Sequence, residues 1–377
     1  MINFNEAPFL GSEFACIKEA IDSKHISGDG KYTKLCNSIL EDFTQTKKAL
    51  LTNSCTAALE MSALILNIEQ GDEVICPSFT FVTSASSFAL RGAKIVFVDI
   101  KDDTLNLDEN LVEQAVTSKT KAILPVHYAG VACEMDKILP VAKKNQLYVV
   151  EDAAQALGSF YKGMPCGSMG DLGCYSFHET KNISCGEGGA LLVNNEKFIE
   201  KAEIIREKGT DRSRFFRGQV DKYTWVELGS SYLPSDILAA YLYPQIQQIE
   251  HINGHRITLW NNYHTHFEEF EKREIIKRPY IPAHCKHNAH MYYLRFNDLD
   301  MRTKYIAFMK QQGILCVFHY IPLHSSPAGQ KYGRAIGQMN ITDHVSDTLV
   351  RLPLFYGMAF EIQQMIIDKT VQFLNTI

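Results

Sequence analysis

The 377-residue sequence has no Cys-x-x-Cys pair, no internal repeat and no Gly/Ser-rich linker. Its ten cysteines are scattered. That pattern argues against a disulfide framework, so reduced thiols in a cytoplasmic setting are expected. The charge-free, apolar stretch 74–90 is interrupted by Pro77 and six Ser/Thr residues, so it reads as a strand, a loop and a helix start and no membrane span is expected. The N-terminus shows no basic segment followed by an apolar run, and no secretory leader is expected. Excess positive charge is also missing. Thirty-eight Lys and Arg stand against 43 Asp and Glu, a net charge of −5 that leaves no global footprint for nucleic acid.

A hydrophobic fraction of 46% with 21% charged residues fits a globular chain with a large core and excludes a disordered one. At this length two or three domains are expected. Short apolar runs at 94–98, 121–126, 147–151, 172–177 and 190–194 read as buried strands. They alternate with helical patterns near 56–67, 108–116, 134–145 and 196–208. Such alternation predicts an α/β fold with a mostly parallel sheet covered on both faces. A long helical pattern at 235–274 then leads into aromatic and His-rich sequence, closed by a helical pattern at 361–376. The expected division is a large domain over 1–245 and a smaller α+β domain over 246–377.

Ligands of open α/β sheets bind at the carboxyl ends of strands, so residues just after each apolar run matter most. Asp152 follows LYVVE. There it either holds a buried cation at the floor of a cleft or caps a helix over AAQAL. Lys181 follows the strand ending at Phe177, in a loop with Gly186, Gly188 and Gly189. It is either a solvated loop lysine or a desolvated nucleophile for a carbonyl. Cys55 and Thr56 open a helix after a short strand, where free N–H groups suit a phosphate or where Ser/Thr simply cap. Three other patterns are weaker. Gly167, Gly170 and Gly173 do not make a dinucleotide fingerprint. His284, Cys285, His287 and His290 match no standard zinc spacing, and no metal is expected. Arg212, Arg214 and Arg217 form a basic run in a polar loop, able to meet a phosphate or merely to face solvent.

In chain order these places read as an anion-binding helix start, ED at a strand end, and S-F-x-x-x-K-N followed by GEGG. Together with GDEVICPSFTFVTSASSFALRGAKIVFVDI, PVHYAGVACEMD, VVEDAAQALGSFYKG and IPLH, the set resembles the DegT/StrS family of pyridoxal-phosphate nucleotide-sugar aminotransferases. The likeness runs over nearly the whole chain and implies the type I aminotransferase fold. It also implies roles. Lys181 would carry the cofactor covalently and later move the substrate proton. Asp152 would pair with the pyridinium nitrogen, Phe81 would stack on the ring, and Gln155 would bond the ring hydroxyl. Cys55, Thr56 and Ser176 would hold the phosphate. Ser231 falls where many members carry an asparagine that reaches the phosphate from a neighbouring subunit, and Leu233 replaces their usual arginine.

Within the family, SFHETKN, REKGTDRSRFFRGQVDKYTW, GSSYLPSD and VFHYIPLH are most similar to the enzymes that make dTDP-4-amino-4,6-dideoxygalactose. That likeness implies L-glutamate as amino donor, dTDP-4-keto-6-deoxy-D-glucose as acceptor, amination at C4, and a role in cell-surface polysaccharide synthesis. It further implies a homodimer with shared sites. Arg212 and Arg217 would meet the nucleotide, and His319, Tyr320 and His324 the sugar. Amination at C3 and the gluco outcome at C4 are the alternatives. A sugar dehydratase of this family would carry histidine in place of Lys181, and a non-catalytic regulator stands further off.

Overall fold

The computed structural model describes residues 1–377. Fourteen strands are formed. They are β1 (Lys48–Thr52), β2 (Glu73–Pro77), β3 (Lys94–Val98), β4 (Thr120–Ile123), β5 (Tyr148–Asp152), β6 (Phe160–Tyr161), β7 (Met164–Pro165), β8 (Leu172–Ser176), β9 (Gly189–Val193), β10 (Cys285–Lys286), β11 (Tyr292–Arg295), β12 (Val317–Phe318), β13 (Gly333–Ala335) and β14 (Leu349–Leu352). Eight of them build one sheet in the order β1-β9-β8-β5-β4-β2-β3-β13. Only β9 runs against the rest, pairing antiparallel with both β1 and β8. The mostly parallel α/β architecture expected from the alternation of runs is therefore the one formed.

The strands of this sheet are apolar on both faces because helices cover both. On one face, the helices Lys31–Thr44 and Asp236–Gln247 bury Leu40, Ala239 and Leu242 against Leu51, Val149 and Leu192. On the other, the helices Cys55–Ile65 and Ile199–Arg206 bury Leu59, Ala202 and Ile205 against Leu50, Val150 and Leu191. Burial of such side chains contributes about 1.5–3 kcal/mol each. A separate core around Tyr263, Tyr292, Tyr305 and Phe373 supports the small antiparallel sheet β11-β14-β12.

Two features depart from the sequence reading. The pattern at 235–274 is not one helix but three, Asp236–Gln247, Ile249–His266 and Glu268–Lys272. The breaks fall where Gln248 (φ −111°, ψ 24°) and Phe267 (φ −99°, ψ 4°) leave helical geometry. The large sheet also takes an edge strand, β13, from far down the chain. Arg334 holds it there with a paired contact to Glu73 at 3.0 and 2.9 Å.

Candidate active site

The carboxyl ends of β5 and β8 open into a cavity of about 710 Å³, closed on the opposite side by residues of β12, β14 and the 319–321 segment. β5 delivers Asp152 to its floor. The carboxylate is buried and accepts from Ser84 Oγ at 2.6 Å and from the Ala154 N–H at 3.1 Å. No helix follows, since residues 153–158 run as turns, so Asp152 is not a helix cap. Ser84 in turn shares a hydroxyl contact with Thr80 at 2.8 Å.

Lys181 stands on the loop that joins β8 to β9. Backbone bonds close this loop around it: Phe177 N–H to Gly188 O at 2.8 Å, Cys185 N–H to Phe177 O at 2.9 Å, and Glu179 N–H to Gly186 O at 2.9 Å. Asn182 anchors the loop further by donating to Asn253 Oδ1 and Asn288 O, both at 2.8 Å. Lys181 keeps some surface open to the cavity but lies deep within the protein. Burial pushes its amine below the ordinary lysine range. The Asp152 carboxylate and the Cys55 thiol oppose that shift, and the Arg351 guanidinium adds to it. A lysine so placed holds more of its amine neutral, the form that attacks a carbonyl.

The anion end of the cavity is the start of the helix Cys55–Ile65. Ser54 caps it, its Oγ accepting from the Ala57 N–H at 3.0 Å, which leaves Cys55 and Thr56 to face the cavity beside Ser176. Ser54 thus caps the helix while Cys55 and Thr56 line the cavity. Close approach makes the geometry possible. A Cβ on Gly189 would stand 2.4 Å from the Cys55 nitrogen and 2.4 Å from the Ser54 carbonyl carbon. Gly189→Ala is therefore expected to displace the helix start and destabilise the protein by about 1–3 kcal/mol. It should also weaken cofactor affinity, read by thermal unfolding with and without pyridoxal phosphate; unchanged midpoints in both would contradict this.

The remaining lining is aromatic and amide. Phe81, immediately before the helix Val82–Ala89, is half-exposed to the cavity with its ring centroid 6.4 Å from that of Tyr320. Gln155 accepts from the Ala129 N–H at 2.7 Å and donates to Tyr320 Oη at 3.1 Å, leaving one amide proton for a ligand. His319 meets Tyr128 Oη through Nδ1 at 2.9 Å, and burial pushes it well below the usual histidine range, so it is neutral.

The structure thus brings Cys55, Thr56, Phe81, Asp152, Gln155, Ser176, Lys181, His319 and Tyr320 to one cavity. Within the single chain it does not bring Ser231, Arg212, Arg217 or His324 there. Ser231 is exposed, its carbonyl accepting from Asn53 Nδ2 at 3.3 Å. Arg212 faces Glu207 at 3.6 Å and Arg217 faces Glu203 at 2.7 Å. His324 is engaged by Ser78 Oγ at 2.8 Å. The His284–His290 cluster disperses: His284 meets Glu134, His287 packs edge-on to Trp260, and His290 meets Asn182 at 3.1 Å. Phe4, Ser84 and Arg351 are among the lining or supporting residues that the sequence did not single out, and His290 stood out there only as part of a metal-like pattern. Only Arg351 leaves a signal, as a charge inside the apolar run LVRLPLF.

A desolvated amine, a buried carboxylate, a helix start lined by small residues and an aromatic side chain in one cavity match the chemistry of pyridoxal phosphate, which needs each of these partners.

The sequence pattern of the DegT/DnrJ/EryC1/StrS aminotransferase family matches residues 11–371. The chain is 32% identical to the spore coat polysaccharide biosynthesis protein SpsC of Bacillus subtilis, over 93% of this chain and 92% of that protein. It is 34% identical to the GDP-perosamine synthase of Caulobacter vibrioides, over 85% of each. Among solved structures, the putative sugar aminotransferase Spr1654 from Streptococcus pneumoniae in its PMP form superposes with a TM-score of 0.92. The identity is 28% and all of both chains is covered. The same protein in its PLP form gives 0.91 at 28% identity, with 100% of this chain and 99% of that one covered.

Proposed function

This chain belongs to the DegT/DnrJ/EryC1/StrS aminotransferase family, and from that premise we propose that it moves an amino group from L-glutamate to C4 of dTDP-4-keto-6-deoxy-D-glucose. It is a pyridoxal-phosphate-dependent sugar aminotransferase. The product would be dTDP-4-amino-4,6-dideoxy-D-galactose, a precursor for surface polysaccharide made in the cytoplasm. The observation that carries the reading is Lys181 and Asp152 facing one cavity at the ends of adjacent strands.

When bound, pyridoxal phosphate supplies a ring that accepts electrons from the carbon losing its proton. Lys181 Nζ takes the α-proton of the donor and, in the second half of the cycle, delivers a proton to C4 of the sugar. Asp152 holds a proton on the ring nitrogen. Phe81 would cover one ring face and exclude water from it, and Gln155 would donate to the ring hydroxyl. Cys55, Thr56 and Ser176 hold the phosphate. His319 and Tyr320 border the space left for the sugar.

Arg212, Arg217 and Ser231 fit this scheme as contributions to a neighbouring subunit's cavity. Their segment is exposed and presents Phe216, Tyr223 and Trp225 to solvent at 68, 52 and 72% exposure. A homodimer with shared sites follows. Mixing inactive Lys181→Ala and Arg217→Ala subunits is expected to restore activity, because one site of the hybrid then carries both residues. Mixtures as inactive as their components would contradict the shared site.

A second reading has its own support, since the GDP-perosamine synthase relative points to a GDP-linked keto sugar. Assays of 2-oxoglutarate formation from L-glutamate with dTDP-linked and GDP-linked keto sugars separate the two. Turnover with the dTDP sugar is expected; turnover with the GDP sugar alone would move the assignment.

A further inference from the structure

We propose that Arg351 receives the α-carboxylate of the amino donor, a role that rests on the transaminase reading above. Arg351 lies in β14 between the buried Val350 and Leu352, and its side chain lines the cavity together with Lys181, His290 and Tyr320. Its hydrogen bonding is incomplete. One terminal nitrogen donates to Phe318 O at 3.2 Å, while Nε is buried without a partner. The neutral hydroxyls of Tyr128 and Tyr320 stand around it, and it takes part in none of the chain's ion pairs. The ring of Phe4 stacks 4.6 Å from the guanidinium carbon and holds the planar fork in place.

Other sequestered arginines of the chain contrast with this. Arg206 pairs with Asp29, Arg278 with Glu271, Arg295 with Asp102 and Arg334 with Glu73, while the fully buried Arg256, also without a carboxylate, places its guanidinium on the Ala289 and His290 carbonyls at 3.1 and 2.7 Å. Removing a guanidinium from water without a counter-ion is costly, and a planar fork is the geometry that takes a carboxylate through two parallel bonds. The cavity therefore holds a cation shaped for an anion that the chain itself does not supply.

Three anions enter this cavity in the transaminase reading: the cofactor phosphate, the pyrophosphate of the nucleotide sugar and the donor carboxylate. The phosphate has its own place at the helix start by Cys55 and Thr56, whereas Arg351 belongs to the antiparallel sheet β11-β14-β12. Arg351 and Lys181 line the same cavity, so the guanidinium faces the space in which the reaction occurs. The α-carboxylate is attached directly to the carbon that loses its amine and proton. The pyrophosphate is separated from the reacting C4 by the sugar ring. A place on the cavity wall shared with Lys181, apart from the helix start, favours the carboxylate.

The test uses the full-length protein loaded with pyridoxal phosphate, as wild type, Arg351→Gln and Arg351→Lys. Calorimetric binding of glutarate, which has carboxylates and no amine, is expected to weaken about 100-fold in Arg351→Gln. The donor half-reaction should show a similar rise in KM, while KM for the keto sugar in the reverse-loaded enzyme changes less than about threefold. Arg351→Lys, which keeps the charge and loses the fork, should fall between wild type and Arg351→Gln, and it carries the test if Arg351→Gln does not fold. Unchanged glutarate and donor binding would overturn the proposal. So would a loss confined to the nucleotide sugar, which would assign Arg351 to the pyrophosphate, or to pyridoxal phosphate, which would assign it to the phosphate. If wild type uses another L-amino acid, glutamate is wrong as donor and the same comparison with that amino acid still decides Arg351. If no amino acid reacts, the transaminase reading fails while the glutarate titration still decides whether Arg351 takes a carboxylate.

Discussion

Lys181→Ala is expected to fold, to bind pyridoxal phosphate without a covalent bond, and to lose turnover by on the order of a thousandfold to a millionfold. The cavity wall contains no other lysine, so no second amine stands ready to replace it. The loop around it owes its shape to backbone bonds at Phe177, Glu179 and Cys185 and to the Asn182 side chain, none of which involves the Lys181 amine. Loss of activity should therefore come without loss of fold. Borohydride treatment of the wild type followed by peptide mapping should place the label on Lys181, and the variant should take none. Near-normal turnover in Lys181→Ala would remove the residue from the mechanism.

Asp152→Asn is the second large effect. The substitution keeps shape and removes charge. Ser84 Oγ now donates to the carboxylate and shares a contact with Thr80, and this hydroxyl pair can reverse to accept from an amide. The strand end should hold, with a thermal midpoint close to wild type. What is lost is the negative charge that keeps the ring nitrogen protonated, and removal of one such preorganised electrostatic partner costs roughly 10²–10³ in kcat. A variant that reacts normally with both substrates would reduce Asp152 to a structural residue of the turn at 153–154.

The parts of this site that could be read from sequence are those fixed by local pattern. The run 94–98 is β3 to the residue, and the runs 147–151 and 172–177 place Asp152, which follows the first, and Ser176 at strand ends, where an α/β sheet presents its ligands. Lys181 and Cys55 follow from the same logic, because each begins the segment after a buried strand. What stayed hidden depends on contacts remote in the chain. Ser84 meets Asp152 across 68 positions, and Arg334 of β13, the strand beside β3, reaches Glu73 of β2 across 261. Local spacing carries no record of either. Helical periodicity likewise continued through Gln248 and Phe267, where the backbone leaves helical geometry.

The exposed run around Arg212 and Arg217 shows a different limit. Its charges are answered inside the chain by Glu207 and Glu203, so a single copy gives the arginines partners without giving them a ligand. In the proposed homodimer a second copy would supply a cavity for them, which the subunit-mixing experiment addresses.

The most direct measurement is the structure of the product. Enzyme, L-glutamate and dTDP-4-keto-6-deoxy-D-glucose are incubated together, and the nucleotide sugar is examined by proton NMR. The account predicts nitrogen on C4 with a small H3–H4 coupling, the mark of an axial amine in the galacto configuration. A large coupling would mean the gluco amine, and nitrogen on C3, or no product unless a 3-keto sugar is supplied, would contradict the assignment of the reaction.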